Sequence, residues 1–185
     1  MAQPTVRRRL WTRSAFDRMV QAGGFAEDDR IELLDGELWE MSPPGSRHTT
    51  GTRLVEEALR TAFGPGYEVR NENPFGLDET SQPQPDVSVV PGSIRDYTDA
   101  HPTQALLLVE VSESTLSHDR GRKLAAYARN QVSEYWILDL KAARLEVYRD
   151  PSGSEYVSKT VLAAADTVSP LHAREAVIAI SDLLP

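Results

Sequence analysis

The order of apolar and polar residues predicts two helices near the start of the chain, with a hairpin between them. Apolar residues recur three and four positions apart from Arg13 to Ala22 and from His48 to Phe63, and glycines follow both stretches. Between these stretches, an alternating run from Arg30 to Met41 contains Asp35-Gly36 at its centre. Because Asp-Gly between alternating runs is a strong signal for a tight β-turn, we expect a two-stranded hairpin here.

The rest of the chain predicts mainly strands, with one further helix from about Ser117 to Asn130. Strands are expected at residues 67–71, in the segment that carries Asp86, and at 106–111, 134–140, 144–149, 156–163 and 176–180, with a short cap at 181–184. We therefore expect one mixed α/β domain over residues 11–185, preceded by an N-terminal tail of residues 1–10.

Two of the predicted strands carry an acidic side chain in otherwise apolar surroundings. Asp86 precedes Val87-Ser88-Val89-Val90, and Glu110 lies within the run from Leu106 to Ser112. A carboxylate in a buried strand loses hydration and needs a partner, and a shared divalent cation suits two of them. Lys123 follows on the next predicted helix. Two acids and a lysine on adjoining elements indicate metal-assisted cleavage of a phosphodiester.

Composition narrows the class of protein. With 185 residues, 40% of them hydrophobic and 26% charged, the chain resembles ordinary globular proteins, and no apolar run is long enough to span a membrane. Residues 1–9 carry charge without an apolar segment behind them, which argues against a secretory signal. The chain contains no cysteine, so disulfides and thiolate chemistry are excluded. We expect a cytoplasmic protein with no membrane partner.

The net charge of −8 argues against tight, nonspecific binding of nucleic acid, because phosphate contacts normally require a basic surface. Two local clusters soften this objection. Arg7-Arg8-Arg9 lies near the start of the chain, and Arg120, Arg122 and Lys123 surround the predicted site. A divalent cation would also offset two of the acidic side chains.

An ordered set of residues is similar to the large bacterial family described as putative restriction endonucleases, within the PD-(D/E)XK nuclease superfamily. The set comprises Pro85-Asp86, Val109-Glu110-Val111-Ser112, the run from Asp119 to Leu124, Tyr127, and the run from Val132 to Asp139, together with the hairpin at 32–38 and the helix that opens at His48. The resemblance covers about residues 11–149. It implies a restriction-endonuclease-like fold, with a central mixed sheet flanked by helices and an N-terminal hairpin.

The resemblance also implies a divalent-metal nuclease that acts on DNA. Asp86, Glu110 and Lys123 take the catalytic positions. Mg²⁺, with Mn²⁺ as a substitute, is expected on Asp86, Glu110 and the main-chain carbonyl of Val111. The superfamily motif has its lysine two residues after the glutamate, where this chain has Ser112, and Lys123 fills that place from the following helix.

Three further residues are candidates for supporting roles. Asp119 lies four residues before Lys123 and shares its helix face, so it could orient the lysine. His48 opens a helix, where it could contact phosphate or act as a weak base, and Glu37 matches the family hairpin. Tyr127, with other aromatic residues nearby, is expected to pack in the core.

Structural alternatives stay open for each of these residues. Asp86 could bound a strand, and Glu110 could form a purely structural ion pair with Lys123 or an arginine. Lys123 and Glu37 could be ordinary surface residues, and His48 a solvated or capping residue.

The leading hypothesis is a Mg²⁺-dependent endodeoxyribonuclease. A homodimer or larger homo-oligomer is expected, since cutting both strands of DNA usually takes two sites. The alternative is a module that kept the nuclease scaffold but serves in binding or assembly, for example by dimerising through the predicted hairpin at 134–149. A third hypothesis is hydrolysis of RNA or another phosphodiester, which the same site chemistry permits.

Overall fold

The computed structural model describes residues 8–26 and 28–185, so most of the predicted N-terminal tail lies outside the described residues. The elements in chain order are α1 (Arg13–Gln21), β1 (Ile31–Leu34), β2 (Glu37–Glu40), α2 (Ser46–Phe63), β3 (Tyr67–Asn71), β4 (Val87–Pro91), β5 (Leu107–Ser112), α3 (Leu116–His118), a π-helical turn (Asp119–Lys123), α4 (Leu124–Arg129), β6 (Glu134–Asp139), β7 (Arg144–Ser152), β8 (Glu155–Ala163), β9 (Thr167–Val168) and β10 (Ile178–Ala179). Short 3₁₀ turns occupy Ile94–Tyr97 and Ile180–Leu183. None of the described helices is long and apolar enough to cross a lipid bilayer.

A six-stranded mixed sheet forms the centre of the fold, in the order β3-β4-β5-β6-β7-β8. Neighbouring strands are antiparallel except β5 and β6, which are parallel. Parallel neighbours need a crossover connection, and α3, the π-helical turn and α4 provide it. The predicted α/β fold with a central mixed sheet is therefore confirmed.

The predicted N-terminal hairpin is also present. Asp35 and Gly36 both have positive φ, +53° and +75°, as a type I′ turn requires. The β1–β2 pair forms a separate sheet, but Leu33 exchanges backbone hydrogen bonds with Gln82, at 2.7 and 3.3 Å. This bridge holds the hairpin against the segment that leads into β4.

Each face of the central sheet has its own apolar cluster, and β5 contributes to both. Val109 and Val111 pack in the cluster that contains Val55 and Leu59 of α2. Leu108 packs in the cluster on the other face, with residues of α4. Because side chains alternate along a strand, Glu110 projects towards the crossover helices, on the same face as Leu108.

The predicted third helix is present but not regular. It spans residues 116–129, and its middle part, Asp119–Lys123, is π-helical. Asp119 and Lys123 are both buried, with 1% and 2% of their surface exposed. The wider turn thus directs two charged side chains into the protein. The predicted strand at 176–180 is shorter than expected, because Ile180 begins a 3₁₀ turn.

Helix α2 approaches β5 closely at Gly51. A Cβ atom added at Gly51 would lie 3.2 Å from Val111 Cγ1 and 3.3 Å from Leu140 Cδ2. The missing side chain therefore lets the start of α2, which carries His48, lie against the end of β5.

Replacing Gly51 by leucine should destabilise the protein by about 1–3 kcal/mol, because the added side chain overpacks this contact. The matched control is Gly121→Leu, where an added Cβ meets no atom within 4 Å. Both changes replace a glycine by leucine within a helical segment, α2 for Gly51 and the π-helical turn for Gly121, so the difference between their urea unfolding midpoints mainly reports the clash. Equal midpoints would contradict the close approach.

Candidate active site

A cavity of about 410 Å³ opens where the hairpin, the start of α2, the start of β4 and the end of β5 meet. Five of the predicted site residues line it: Asp86, Glu110, Lys123, Asp119 and His48. Glu37 lies outside this lining. Its carboxylate forms ion pairs with Arg8 and Arg122 instead. The structure thus brings together the predicted acids and lysine but leaves Glu37 at the surface of the hairpin.

Asp86 and Glu110 are brought together by two strands that are neighbours in the sheet. Asp86 lies immediately before β4, and Val87 pairs with Val109, so the antiparallel register sets Asp86 opposite Glu110. Asp86 Oδ2 accepts a hydrogen bond from the Val111 amide at 2.6 Å. Since the N–H and C=O groups of a strand residue point to the same side, the Val111 carbonyl also faces the Asp86 edge.

Glu110 is 3% exposed, and one of its oxygens is tightly held. Glu110 Oε1 accepts hydrogen bonds from Lys123 Nζ at 3.0 Å and from the Tyr127 hydroxyl at 2.8 Å. Burial raises the pKa of Glu110 well above its usual value, Lys123 opposes this, and Asp86 adds to it. The raised pKa thus reflects mainly the lost hydration of a buried carboxylate, and the neighbouring acids add to it.

Glu32 is a member of the site that the sequence-based prediction missed. It lies on β1, is 2% exposed, and its Oε2 is 3.2 Å from Lys123 Nζ. The backbone N–H of Gln84 donates to the same oxygen at 3.2 Å. Burial alone would raise the pKa of Glu32, but Lys123, followed by His118 and the Gln84 amide, lowers it to about 2. The sequence signal that could have identified Glu32 was its position inside the alternating apolar and polar run of the hairpin.

Lys123 is therefore shared between two carboxylates, those of Glu110 and Glu32. Burial lowers the pKa of Lys123, but the surrounding carboxylates outweigh burial and raise it above its usual value. Asp119, from the same π-helical turn, accepts a hydrogen bond from the Thr115 hydroxyl at 2.7 Å. Burial raises the pKa of Asp119, which adds a further buried acid to the cavity.

His48, Glu72 and Asp86 form a group that could hold a metal ion. One ligand atom from each lies within 4.8 Å of the others. Among the described residues, these are the three histidine or acidic side chains whose ligand atoms lie this close together. His48 Nε2 is 3.3 Å from Asp86 Oδ2, and this hydrogen bond raises the pKa of His48. Glu72 escaped the sequence-based prediction because it lies in a polar loop with no apolar pattern around it.

Glu72 is held beside Asp86 by its backbone. Its amide donates to the Asp86 carbonyl at 3.0 Å, and its φ of +48° lies in the left-handed region, which is strained for a non-glycine residue. The Glu72 side chain also pairs with Arg30 at 2.9 Å. Among the described residues, the group that could hold a metal ion is thus His48, Glu72 and Asp86, and Glu110 lines the same cavity without belonging to this group.

The chain folds as a mixed α/β protein with an acid-lined cavity beside its central sheet. The chain belongs to the Uma2 family, described as "Putative restriction endonuclease", whose sequence profile matches residues 14–181. The fold is similar to that of a crystal structure described as "a putative nuclease belonging to DUF820" from Anabaena variabilis ATCC 29413. The TM-score is 0.66 at 18% sequence identity, over 83% of this chain and 88% of that chain. No curated protein matches the chain.

Replacing Glu32 by glutamine should reduce stability at pH 7 by about 3 kcal/mol, since the folded-state pKa lies well below the unfolded one. Ionised Glu32 stabilises the fold above pH 4.5, and this contribution is lost as the pH falls towards 2. The difference between wild type and variant should therefore shrink on acidification, as measured by urea unfolding at several pH values. Glu40→Gln, an exposed acid on the same hairpin, is the control and should change little. A pH-independent difference would contradict the ion pair.

Proposed function

We propose that the protein is a divalent-metal-dependent endonuclease that hydrolyses DNA phosphodiester bonds, with residues 11–185 as its nuclease domain. The observation that carries this proposal is the convergence of Asp86, Glu110 and Lys123 on one cavity, from three separate elements. Family membership supports the class of reaction. The cavity supplies the oxygen donors and the cation that this reaction needs.

Two carboxylate oxygens are available for the metal. Asp86 Oδ1 and Glu110 Oε2 accept no hydrogen bond from the residues that the structure describes, and neither is fully enclosed. Carboxylate and carbonyl oxygens are the donors that Mg²⁺ and Mn²⁺ prefer, so the Val111 carbonyl fits as a third ligand. A divalent ion bound there would supply Lewis acidity towards a phosphate oxygen and lower the pKa of a water molecule.

Lys123 would act on the phosphate as a fixed positive charge. Its ammonium group is buried and held in place by Glu110 and Glu32, so little reorganisation is needed when negative charge develops on the phosphate. Asp119 and His48 line the same cavity and are proposed as supporting residues. His48, paired with Asp86, would contact phosphate or a metal-bound water.

The charge of the cavity also favours a metal-dependent reaction. Its lining contains more carboxylates (Glu32, Glu40, Asp86, Glu110, Glu113 and Asp119) than lysines and arginines (Arg30 and Lys123). A phosphate diester entering this cavity would meet net negative charge, which a bound divalent cation would offset. We expect DNA as the substrate, and a homodimer or larger homo-oligomer to cut both strands.

Removing any of the three central groups should abolish cleavage. Asp86→Asn, Glu110→Gln and Lys123→Met should each lower the rate of Mg²⁺- or Mn²⁺-dependent plasmid cleavage by about 100-fold or more, because each removes a metal ligand or a transition-state charge. The controls are Glu155→Gln and Lys141→Met, which make the same chemical changes at exposed positions and should leave the rate unchanged. Full activity of Glu110→Gln would refute the assignment.

Titrating the unmutated protein with Mn²⁺ in a calorimeter separates a nuclease from a scaffold that serves only in binding or assembly. The nuclease proposal requires saturable binding that Asp86→Asn and Glu110→Gln weaken. If the protein binds neither Mn²⁺ nor Mg²⁺, the proposed function is wrong. The same cleavage assay with RNA in place of DNA shows which of the two nucleic acids the protein hydrolyses.

A further inference from the structure

Tyr127 connects the aromatic core to the candidate active site. It lies on α4, its side chain is fully buried, and its ring packs edge-on against Tyr135 with ring centroids 5.0 Å apart. From the sequence we expected packing alone. The structure adds a polar contact, because the Tyr127 hydroxyl donates to Glu110 Oε1 at 2.8 Å. The core therefore extends a single hydrogen-bond donor towards a carboxylate of the cavity.

The two donors to Glu110 contact the same oxygen. Lys123 Nζ and the Tyr127 hydroxyl both bond Oε1, at 3.0 and 2.8 Å. Oε2 accepts no hydrogen bond within the described part of the chain and is not fully enclosed. Pinning one oxygen of a carboxylate from two elements fixes the rotation of the group. The free oxygen then keeps a constant direction into the cavity.

Of the two donors, Tyr127 is the more rigid. A tyrosine side chain has only two torsions, and the ring of Tyr127 extends from α4 into the close-packed cluster on the buried face of the sheet. Lys123 has a longer, flexible side chain and is shared with Glu32, 3.2 Å away. The hydroxyl of Tyr127 thus defines where Glu110 Oε1 lies, while Lys123 also lines the cavity.

We propose that Tyr127 is a positioning residue for Glu110, whose hydroxyl holds Oε1 so that Oε2 is presented to a divalent cation. This inference rests on the proposed function, since it assumes that Glu110 is a metal ligand. Groups that hydrogen-bond a ligating carboxylate commonly affect metal affinity although they never touch the ion. Tyr127 would act in this way without contacting substrate or metal.

Tyr127→Phe tests the proposal, since it removes only the hydroxyl and keeps the packed ring. We expect the affinity for Mn²⁺, measured by calorimetry without DNA, to fall about 10- to 100-fold. The KM for DNA should stay unchanged, and cleavage should recover as the Mn²⁺ concentration is raised. A purely structural role would instead lower the melting temperature and leave the Mn²⁺ affinity of the folded fraction unchanged.

Tyr156→Phe is the matched control. Tyr156 belongs to the same aromatic cluster, and its hydroxyl donates to the Val132 carbonyl at 2.9 Å rather than to a residue of the cavity. Its loss should leave the Mn²⁺ affinity unchanged. In a Glu110→Gln background, Tyr127→Phe should cause no further loss of affinity, because the group that it positions is no longer a carboxylate.

The outcomes separate the two proposals. If the unmutated protein binds no Mn²⁺ and does not cleave DNA, the proposed function itself fails. If it binds and cleaves, but Tyr127→Phe binds Mn²⁺ as tightly as wild type, the positioning role alone is overturned. If Tyr127→Phe is too unstable to titrate in dilute buffer, its Mn²⁺ affinity is measured with wild type in a stabilising osmolyte, and equal affinities there would overturn the role.

Discussion

The burial of Glu110 in a central strand is the constraint on which the site depends. A carboxylate among apolar side chains is unstable unless charged or hydrogen-bonding partners reach it. Lys123 and Tyr127 reach it from consecutive parts of one crossover connection, and Asp86 faces it from the next strand. The need to satisfy one buried acid thus organises the adjoining ends of β4 and β5, the π-helical turn and the start of α4 around a single cavity.

Local sequence patterns were sufficient for the elements and for the central residues. The Asp35-Gly36 turn and the helical spacing of α2 are encoded within a few residues, and both were predicted. Asp86 and Glu110 stood out because they interrupt apolar segments. Lys123 was noticed from its place on the helix that follows Glu110, but the family resemblance gave it a catalytic position, because a lysine on a helix is ordinarily a surface residue.

What escaped prediction depends on contacts between segments that are distant in the chain. Glu32 joins the site only because the hairpin folds over Lys123, and Glu72 only because a strained backbone holds it beside Asp86. The π-helical turn has no simple sequence pattern, since it differs from an α-helix by a slight widening. The Tyr127 hydroxyl could not be distinguished from ordinary packing without the position of its oxygen.

The ion pair between Glu32 and Lys123 has a consequence for the hairpin. Although β1 and β2 share no ladder with the central sheet, lifting them away would break the buried ion pair between Glu32 and Lys123 and leave Lys123 with Glu110 as its remaining close carboxylate partner. A small two-stranded ribbon of this kind would otherwise open easily as a flap. Here the ion pair at its underside and the bridge between Leu33 and Gln82 oppose such opening and anchor this wall of the cavity to the rest of the protein.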